Sequence, residues 1–550
     1  MRIIVIGAVA AGTSAAAKAR RNDEEAEIII YDKDRYISYS GCGMPYYLGK
    51  HVEKAETLTP RDPAFFKKKY NVDVLVRHEV LGLDAAAKQL TVKNLESGEV
   101  FTDHYDKLVL ATGAKAVLPP LPGVRKDHVF VLRNIVDMNS IDAFLTQKAP
   151  RQIVIVGTGF IGLELCENFV ERGLDVTLVE MLPQVTPGLD PDMAVYVEEE
   201  LLRHGVKVFT GNGVQEIGDG EVRLANGETL PADMVIMATG VKPEVTLARE
   251  AGLEIGETGA IKVNSRMQTS DTDIYACGDC IEQFHVVTGK PVYRPLGSTA
   301  NKTGRIAGEC VTGGELEFRG VLGTGIFRVF DLAVAQTGLA EREALAAGYD
   351  VQVSHNIKPS RAAYLGGKEL VIKALADRVT GRILGAQIIG EDGVDKRIDV
   401  FVTAISFGAK AEDLFHLDLA YAPPFSTTKD PVMYSGMILD NAISKHRAQL
   451  TAREVQNLLD QGEKVTIIDT RVTAQFEKDH IDTALSIPHE IFRASISKLD
   501  KDSILITYCN KGVTGNATQN ILINHGFKRV FSISGGHKTF AQWRKLSKQD

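Results

Sequence analysis

Two of the six cysteines stand where a thiol can act as a nucleophile. Cys42 lies in Ser38-Tyr39-Ser40-Gly41-Cys42-Gly43-Met44-Pro45-Tyr46, where glycine on either side permits a tight turn. A cysteine at the start of a helix has its anion favoured by free backbone amides and by the helix dipole. There is no further cysteine until Cys166, so Cys42 works alone, and its intermediate is a mixed disulfide, a persulfide or a sulfenate. Cys509 ends the apolar run Ile504 to Tyr508 and is followed by Asn510-Lys511-Gly512-Val513-Thr514-Gly515. A strand that ends in cysteine and turns through glycine into a helix surrounds the sulfur with amide donors, which stabilise a thiolate or persulfide anion. Lys511 adds positive charge suited to an anionic sulfur donor. The pair Cys277 and Cys280 has CxxC spacing but no second pair and no nearby histidine pair to complete a zinc site, so no metal is expected. Cys166 and Cys310 are read as filler.

Strands and glycine turns must position these groups. After Ile3 to Ile6 comes Gly7-Ala8-Val9-Ala10-Ala11-Gly12, an alanine-rich helix, and a second strand from Glu27 that ends in Asp32 and Lys33. A glycine at the turn, a glycine at the helix start and an acid one strand later suit a dinucleotide, with its pyrophosphate at the helix N-terminus and its ribose on the acid. Val9 departs from the pattern, since its position normally holds glycine. The second unit carries the full fingerprint: Ile153 to Val156, then Gly157-Thr158-Gly159-Phe160-Ile161-Gly162, with Glu164 on the helix and Glu180 ending the next strand. Glu180 suits free ribose hydroxyls and repels a 2′-phosphate, and Met181-Leu182-Pro183 offers no arginine, so NADH is favoured over NADPH. Thr112-Gly113 and Thr239-Gly240 each close an apolar strand.

Length and composition set the frame. A chain of 550 residues is too long for one hydrophobic core and predicts three or four domains. With 44% hydrophobic and 24% charged residues it belongs among ordinary globular proteins. A net charge of −8 gives no footprint for nucleic acid. No segment reads as a membrane span or signal, and sparse cysteines predict a reducing, cytoplasmic setting. Apolar alternation around Gly325 to Gln336 and helical periodicity around Ala344 and Asp395 to Phe407 mark a mixed region without a phosphate loop. The polar stretch from Ile443 to Thr451 marks a boundary, beyond which Val465 to Asp469 opens the last domain.

Residues 1 to about 320 resemble the pyridine nucleotide-disulfide oxidoreductase family, and residues past 451 resemble rhodaneses. The segment around Cys42 is similar to that of coenzyme A-disulfide reductases and their persulfide-reducing relatives. The resemblance implies an α/β fold with two nested Rossmann-like dinucleotide-binding domains, an α+β dimerisation domain and a C-terminal α/β rhodanese domain. The expected bounds are 1–112 with 243–320 for FAD, 113–242 for NAD(H), 321–442 for dimerisation and 452–550 for the rhodanese domain. It implies that Asp279 holds the ribityl and phosphate portion of FAD, and that Lys18, Arg21, Lys67 and Ser38 belong to the coenzyme A side of the site. Tyr364 and Tyr421 are candidate proton donors to a leaving thiolate, supplied across a homodimer. Thr514 stands where many single-domain rhodaneses have arginine.

The expectation is therefore an enzyme that reduces a small disulfide, persulfide or polysulfide with NADH and FAD, coupled to a sulfurtransferase domain. Two rivals are an NADH oxidase or peroxidase working through a Cys42 sulfenate, and a sulfur sensor whose rhodanese unit docks a donor.

Overall fold

The run Ile3, Ile4, Val5, Ile6 is buried almost completely because its strand, Arg2–Ile6, is central in a parallel sheet covered on both faces. The sheet has the order Ile274–Ala276, Lys107–Leu110, Arg2–Ile6, Glu27–Asp32, Asp73–Val76. A second parallel sheet repeats the plan around Gln152–Val156, in the order Lys207–Phe209, Asp175–Val179, Gln152–Val156, Met234–Met237, Val129–Phe130. Each is accompanied by a three-stranded antiparallel sheet, His78–Asp84 with Gln89–Asn94 and Val100–His104 in one case, Val214–Ile217 with Glu221–Leu224 and Thr229–Pro231 in the other. The chain crosses between the two parallel-sheet regions through Ala114–Ala116 and Val241–Pro243, which pair antiparallel. Entry to and exit from the inserted second region are thus bound to each other.

The computed structural model describes residues 1–546. The chain divides into two units: Met1–Pro183 with Val206–Gly323, which holds both dinucleotide folds, and Gln184–Gly205 with the chain from Thr324 onward. In the second unit, Gly325–Val329, Leu332–Gly338, Ile383–Gly390, Glu369–Asp377 and Val351–Pro359 form an antiparallel sheet, flanked by helices Val394–Ser406 and Pro431–Ile443. A parallel sheet follows, in the order Gln449–Leu450, Val530–Ile533, Ile504–Tyr508, Val465–Asp469, Leu485–Ser486.

One helix of the 113–242 stretch is tied to the antiparallel sheet. Helix Pro191–Arg203, which the sequence reading places within 113–242, belongs to the second unit. The cause is a buried ionic network: the Lys373 ammonium meets Asp192 at 2.8 Å, Asp190 at 3.2 Å and Glu341 at 2.6 Å, and His355 Nε2 lies 2.8 Å from Asp192. Burial works to lower the Lys373 pKa, but the three carboxylates hold it well above the usual lysine value. Removing one partner from such a network leaves a buried charge uncompensated, so the helix is fixed where its acids are needed.

Candidate functional site

Both glycine turns are dictated by close backbone packing. Gly7 and Gly157 take φ of +90° and +102°, and a Cβ on either would overlap the carbonyl oxygen of Ala111 or Ala238. Each turn is pinned to the next strand, by Gly7 N–H to Tyr31 O and Gly157 N–H to Val179 O, both 2.8 Å. The acids meet the turns in the same manner. Asp32 accepts from the Ala8 N–H at 2.8 Å and the Asp34 N–H at 2.8 Å. Glu180 accepts from the Thr158 N–H at 3.0 Å, the Thr158 hydroxyl at 2.8 Å and the Leu182 N–H at 3.0 Å. Burial pushes the Asp32 carboxyl upward, against the pull of its two N–H donors.

The turns differ at the middle position. Gly159 is extended, and nothing lies within 4 Å of where its Cβ would sit, which leaves the open cradle that a pyrophosphate requires. Phe160 begins the helix and is exposed, with Ile161 partly buried and Gly162 packed on Gly157. Val9 instead takes φ of +40°, a conformation a β-branched residue adopts at a cost, and the helix starts one residue later, at Ala11. Gly12 still packs on the Gly7 carbonyl. The donor sets of both loops fit dinucleotides.

Asp279 reaches the first loop through small residues. It lies in the single turn Gly278–Cys280, where a Gly278 Cβ would press on Ala11, and the Gly278 N–H bonds Thr303 at 3.0 Å. Arg133 Nη2 bonds Asp279 at 2.8 Å while its Nε bonds the Ala114 carbonyl at 3.0 Å. Cys277 and Cys280 are both buried and free here. Thr112 donates to the Glu244 carbonyl at 2.6 Å, the Gly113 carbonyl accepts from the Glu244 N–H at 2.9 Å, and the Gly240 carbonyl accepts from the Val117 N–H at 2.9 Å. These motifs therefore build the crossing between the two folds. Lys33 is exposed beside Asp32.

Cys42 occupies the turn Gly41–Gly43, which runs directly into helix Met44–Leu48. The Ser40 N–H bonds the Leu58 carbonyl at 2.8 Å, and Ser38 is partly buried two residues before it. The end of the short helix is braced on the second nucleotide unit: Arg172 Nη1 bonds the Leu48 carbonyl at 2.7 Å, and a Cβ on Gly49 would overlap Asn168. This contact brings Glu164, on helix Phe160–Glu171, into charge range of Cys42. The cysteine is exposed, yet desolvation raises its thiol pKa, with Glu164 and Asp279 adding to the rise. The protein groups thus oppose the helix-start effect that favours the anion. Burial in turn pushes the Glu164 carboxyl up to about 7. The sequence shows Glu164 but not this role, because only the packing of two distant helices brings it to the thiol.

The cationic candidates fall into two groups. Lys18 pairs with Glu309 at 2.6 Å, and Lys67 with Asp73 at 2.9 Å. Arg21 stands over the ring of Tyr70, at the end of helix Pro63–Tyr70 that carries Lys67. Arg21 and Lys67 are therefore on adjoining exposed elements.

In the second unit, Tyr364 is 79% and Tyr421 50% exposed. Their segments are tied by the Ala362 N–H to the Pro423 carbonyl at 3.3 Å. Cys509 ends strand Ile504–Tyr508 and is 5% exposed. Its loop closes through Gly512, at φ +92°, into helix Val513–Asn524. The Cys509 and Asn510 carbonyls accept from His537 N–H at 2.8 Å and Lys538 N–H at 3.1 Å. Lys511 forms an ion pair with Glu369 of the antiparallel sheet.

Among the described residues, the group spaced closely enough to hold a metal is Glu200, His204 and Asp331, and Arg203 already pairs with both acids there. Among the same residues no helix is long and apolar enough to cross a membrane.

Comparison with known proteins divides the chain in the same order. Residues 1–299 match the model of the pyridine nucleotide-disulphide oxidoreductases, residues 326–431 that of their dimerisation domain, and residues 451–543 a rhodanese-like domain. A Pyrococcus furiosus protein named NAD(P)H sulfur oxidoreductase (CoA-dependent) is 37% identical over 80% of this chain and 99% of its own. A Methanocaldococcus jannaschii protein named NADH oxidase is 37% identical over 78% of this chain and 97% of its own. The solved structure of reduced CoADR-RHD from Bacillus anthracis superposes with a TM-score of 0.96, at 37% identity, and covers 100% of this chain and 98% of that one.

Proposed function

Since the chain belongs to the pyridine nucleotide-disulphide oxidoreductase family, we propose that it uses NADH to reduce a coenzyme A disulfide or persulfide, or a polysulfide, at Cys42, while Cys509 handles sulfane sulfur. The observation that carries this reading is that Cys42, on a turn whose following helix is braced on the second nucleotide unit, lies within charge range of both Glu164 of the second nucleotide helix and Asp279 at the first nucleotide loop. A thiol placed there is served by both nucleotide folds.

Gly7, Ala8, Gly12, Asp32 and Asp279 would hold FAD, which supplies the two-electron link between NADH and sulfur. Gly157, Gly159, Gly162 and Glu180 would hold NADH. The Cys42 thiolate attacks the S–S bond, joins one half of the substrate in a mixed disulfide and releases the other as thiolate or hydrosulfide. Glu164 carries a proton up to about neutrality, so it can protonate the leaving sulfur when pH is near 7. Glu180 disfavours the 2′-phosphate of NADPH. Lys18, Arg21, Lys67 and Ser38 are assigned to the substrate's phosphates and arm.

The matched dimerisation domain and the exposed aromatics Tyr364, Tyr421, Phe407 and Phe425 support a homodimer in which the two tyrosines face the partner's site. The sparse cysteines, six in 550 residues, fit a reducing, cytoplasmic setting.

Product analysis tests the reading. Without oxygen, NADH and coenzyme A disulfide should yield free thiol with consumption of NADH, and persulfide should yield sulfide. Consumption of NADH only when oxygen or peroxide is present, with no thiol formed, would favour the oxidase alternative.

A further inference from the structure

The Cys509 loop lacks the cation its chemistry calls for. Asn510-Lys511-Gly512-Val513-Thr514 contains one basic residue, and the Lys511 ammonium is engaged by Glu369, which also takes Lys538 at 2.5 Å. Burial works to raise the Glu369 carboxyl, but the two lysines hold it below the usual range. Glu369 is therefore a clamp between the antiparallel sheet and the sulfur loop. Lys511 is occupied by it.

The same sheet brings a different lysine to the loop. Strand Val351–Pro359 pairs with Glu369–Asp377 so that Lys358 stands opposite Leu370, one step from Glu369. The loop that lies under Cys509 is fastened to this strand: the His355 N–H bonds the Ser534 hydroxyl at 2.6 Å, and a Cβ on Gly535 would meet His355 at 2.9 Å. Three residues on from His355, Lys358 Nζ sits 4.0 Å above the Tyr434 ring. It is half-buried, and among the described residues no carboxylate lies within ion-pair distance of it. Its charge neighbours are Lys511, Lys429 and Cys509. Burial first, then Lys511 and Lys429, lower its pKa, and Cys509 works in the opposite sense. An ammonium without a carboxylate, crowded by two others and close to a thiol, is a position that a bound anion stabilises.

We propose that Lys358, supplied by the sheet outside the rhodanese-like domain, is the specificity-determining cation of the Cys509 site and binds the anionic group of a sulfane-sulfur donor. The inference rests on the reading that Cys509 accepts sulfur. With thiosulfate as donor, the Cys509 thiolate attacks the outer sulfur and forms Cys–S–S⁻. The S–S bond of thiosulfate breaks, and its electron pair leaves on sulfite, so that three negative charges stand on each side. Lys358 holds the sulfonate end of the donor and the departing sulfite, the role for which the loop has no arginine.

The test uses the full-length holoenzyme and thiosulfate, with alkylation and peptide mass spectrometry reporting persulfide on Cys509. For Lys358→Gln the thiosulfate concentration giving half-maximal persulfide rises about tenfold, the loss of one charge-assisted contact, while the maximal extent is kept. Lys358→Arg, which keeps the charge but sets a planar fork in place of a compact ammonium over the Tyr434 ring, falls between Lys358→Gln and the native chain. Thermal melting shows that both variants are folded. Equal half-saturation in Lys358→Gln and the native chain overturns the proposal and leaves the Cys509 reading standing. A native chain that takes no sulfur onto Cys509 sinks both.

Discussion

Cys42 and Cys509 each lie in a glycine-containing turn that leads into a helix, yet their surroundings differ in charge and access. Cys42 is exposed, and desolvation first, then the carboxylates Glu164 and Asp279, raise its thiol pKa. Cys509 is buried in a loop clamped by lysines, with Lys511 and Lys538 on Glu369 and Lys358 close by. On the proposed function the same side chain is thus set for two tasks. An acidic site with a proton-holding carboxyl suits a thiol whose attack expels a sulfur that must be protonated, and a basic one suits a sulfur that must carry charge. Sequence proximity to glycine does not distinguish the two; the groups that do come from other elements.

Exchanging each sulfur for oxygen gives the largest effects. Cys42→Ser should lower NADH-dependent reduction of coenzyme A disulfide by roughly 10³-fold or more, read as NADH consumption, since no second thiol stands in. Cys509→Ser should abolish persulfide formation from thiosulfate while disulfide reduction at Cys42 continues. If either variant lost both reactions while remaining folded, the two sites would not be separate.

A smaller effect sharpens the same contrast. Glu180→Ser combined with Met181→Arg should shift the preference between NADH and NADPH by about 10- to 100-fold in the ratio of kcat/KM, as a repelling carboxylate gives way to a phosphate partner. The shift should appear in the Cys42 reaction alone. A matching change in Cys509 persulfide formation would contradict the division of labour.

The smallest effects concern Glu164. Because its anion raises the Cys42 pKa, Glu164→Gln should move the pH profile of Cys42 alkylation by iodoacetamide to lower pH. The same variant has a stability signature. Glu164 titrates near 7 when folded against an ordinary 4.5, so its neutral form is stabilising at low pH and that contribution fades as pH rises through 7. Denaturant melts should show no advantage for Glu164→Gln below about pH 4.5, a growing one up to about pH 7 and a constant one above. An advantage largest at acid pH would contradict the placement of this carboxyl.

Much of the fold was legible because local rules dictate it. The strands Arg2–Ile6, Gln152–Val156, Val465–Asp469 and Ile504–Tyr508 follow apolar runs, and helix Val394–Ser406 follows the periodicity seen near Asp395. Gly7, Gly12, Gly157 and Gly162 mark backbone contacts that only glycine allows, so their spacing carries the geometry with it. The effect of Val9 was not legible: its positive φ and the later helix start answer to the surrounding loop, which no local pattern records. The ion pairs of helix Pro191–Arg203 with the antiparallel sheet were not legible for a similar reason, since Lys373 lies 181 residues from Asp192. Glu164 near Cys42 and Lys358 near Cys509 are products of helix packing and strand register, respectively.

On the proposed mechanism the Cys42 sulfur itself is exchanged with substrate. Holoenzyme treated with coenzyme A disulfide, quenched in acid and digested without reductant, should yield a Cys42 peptide carrying one coenzyme A as a mixed disulfide, and prior addition of NADH should remove it. An unmodified Cys42 peptide from enzyme that turns over normally, or an adduct that NADH leaves in place, would contradict the account.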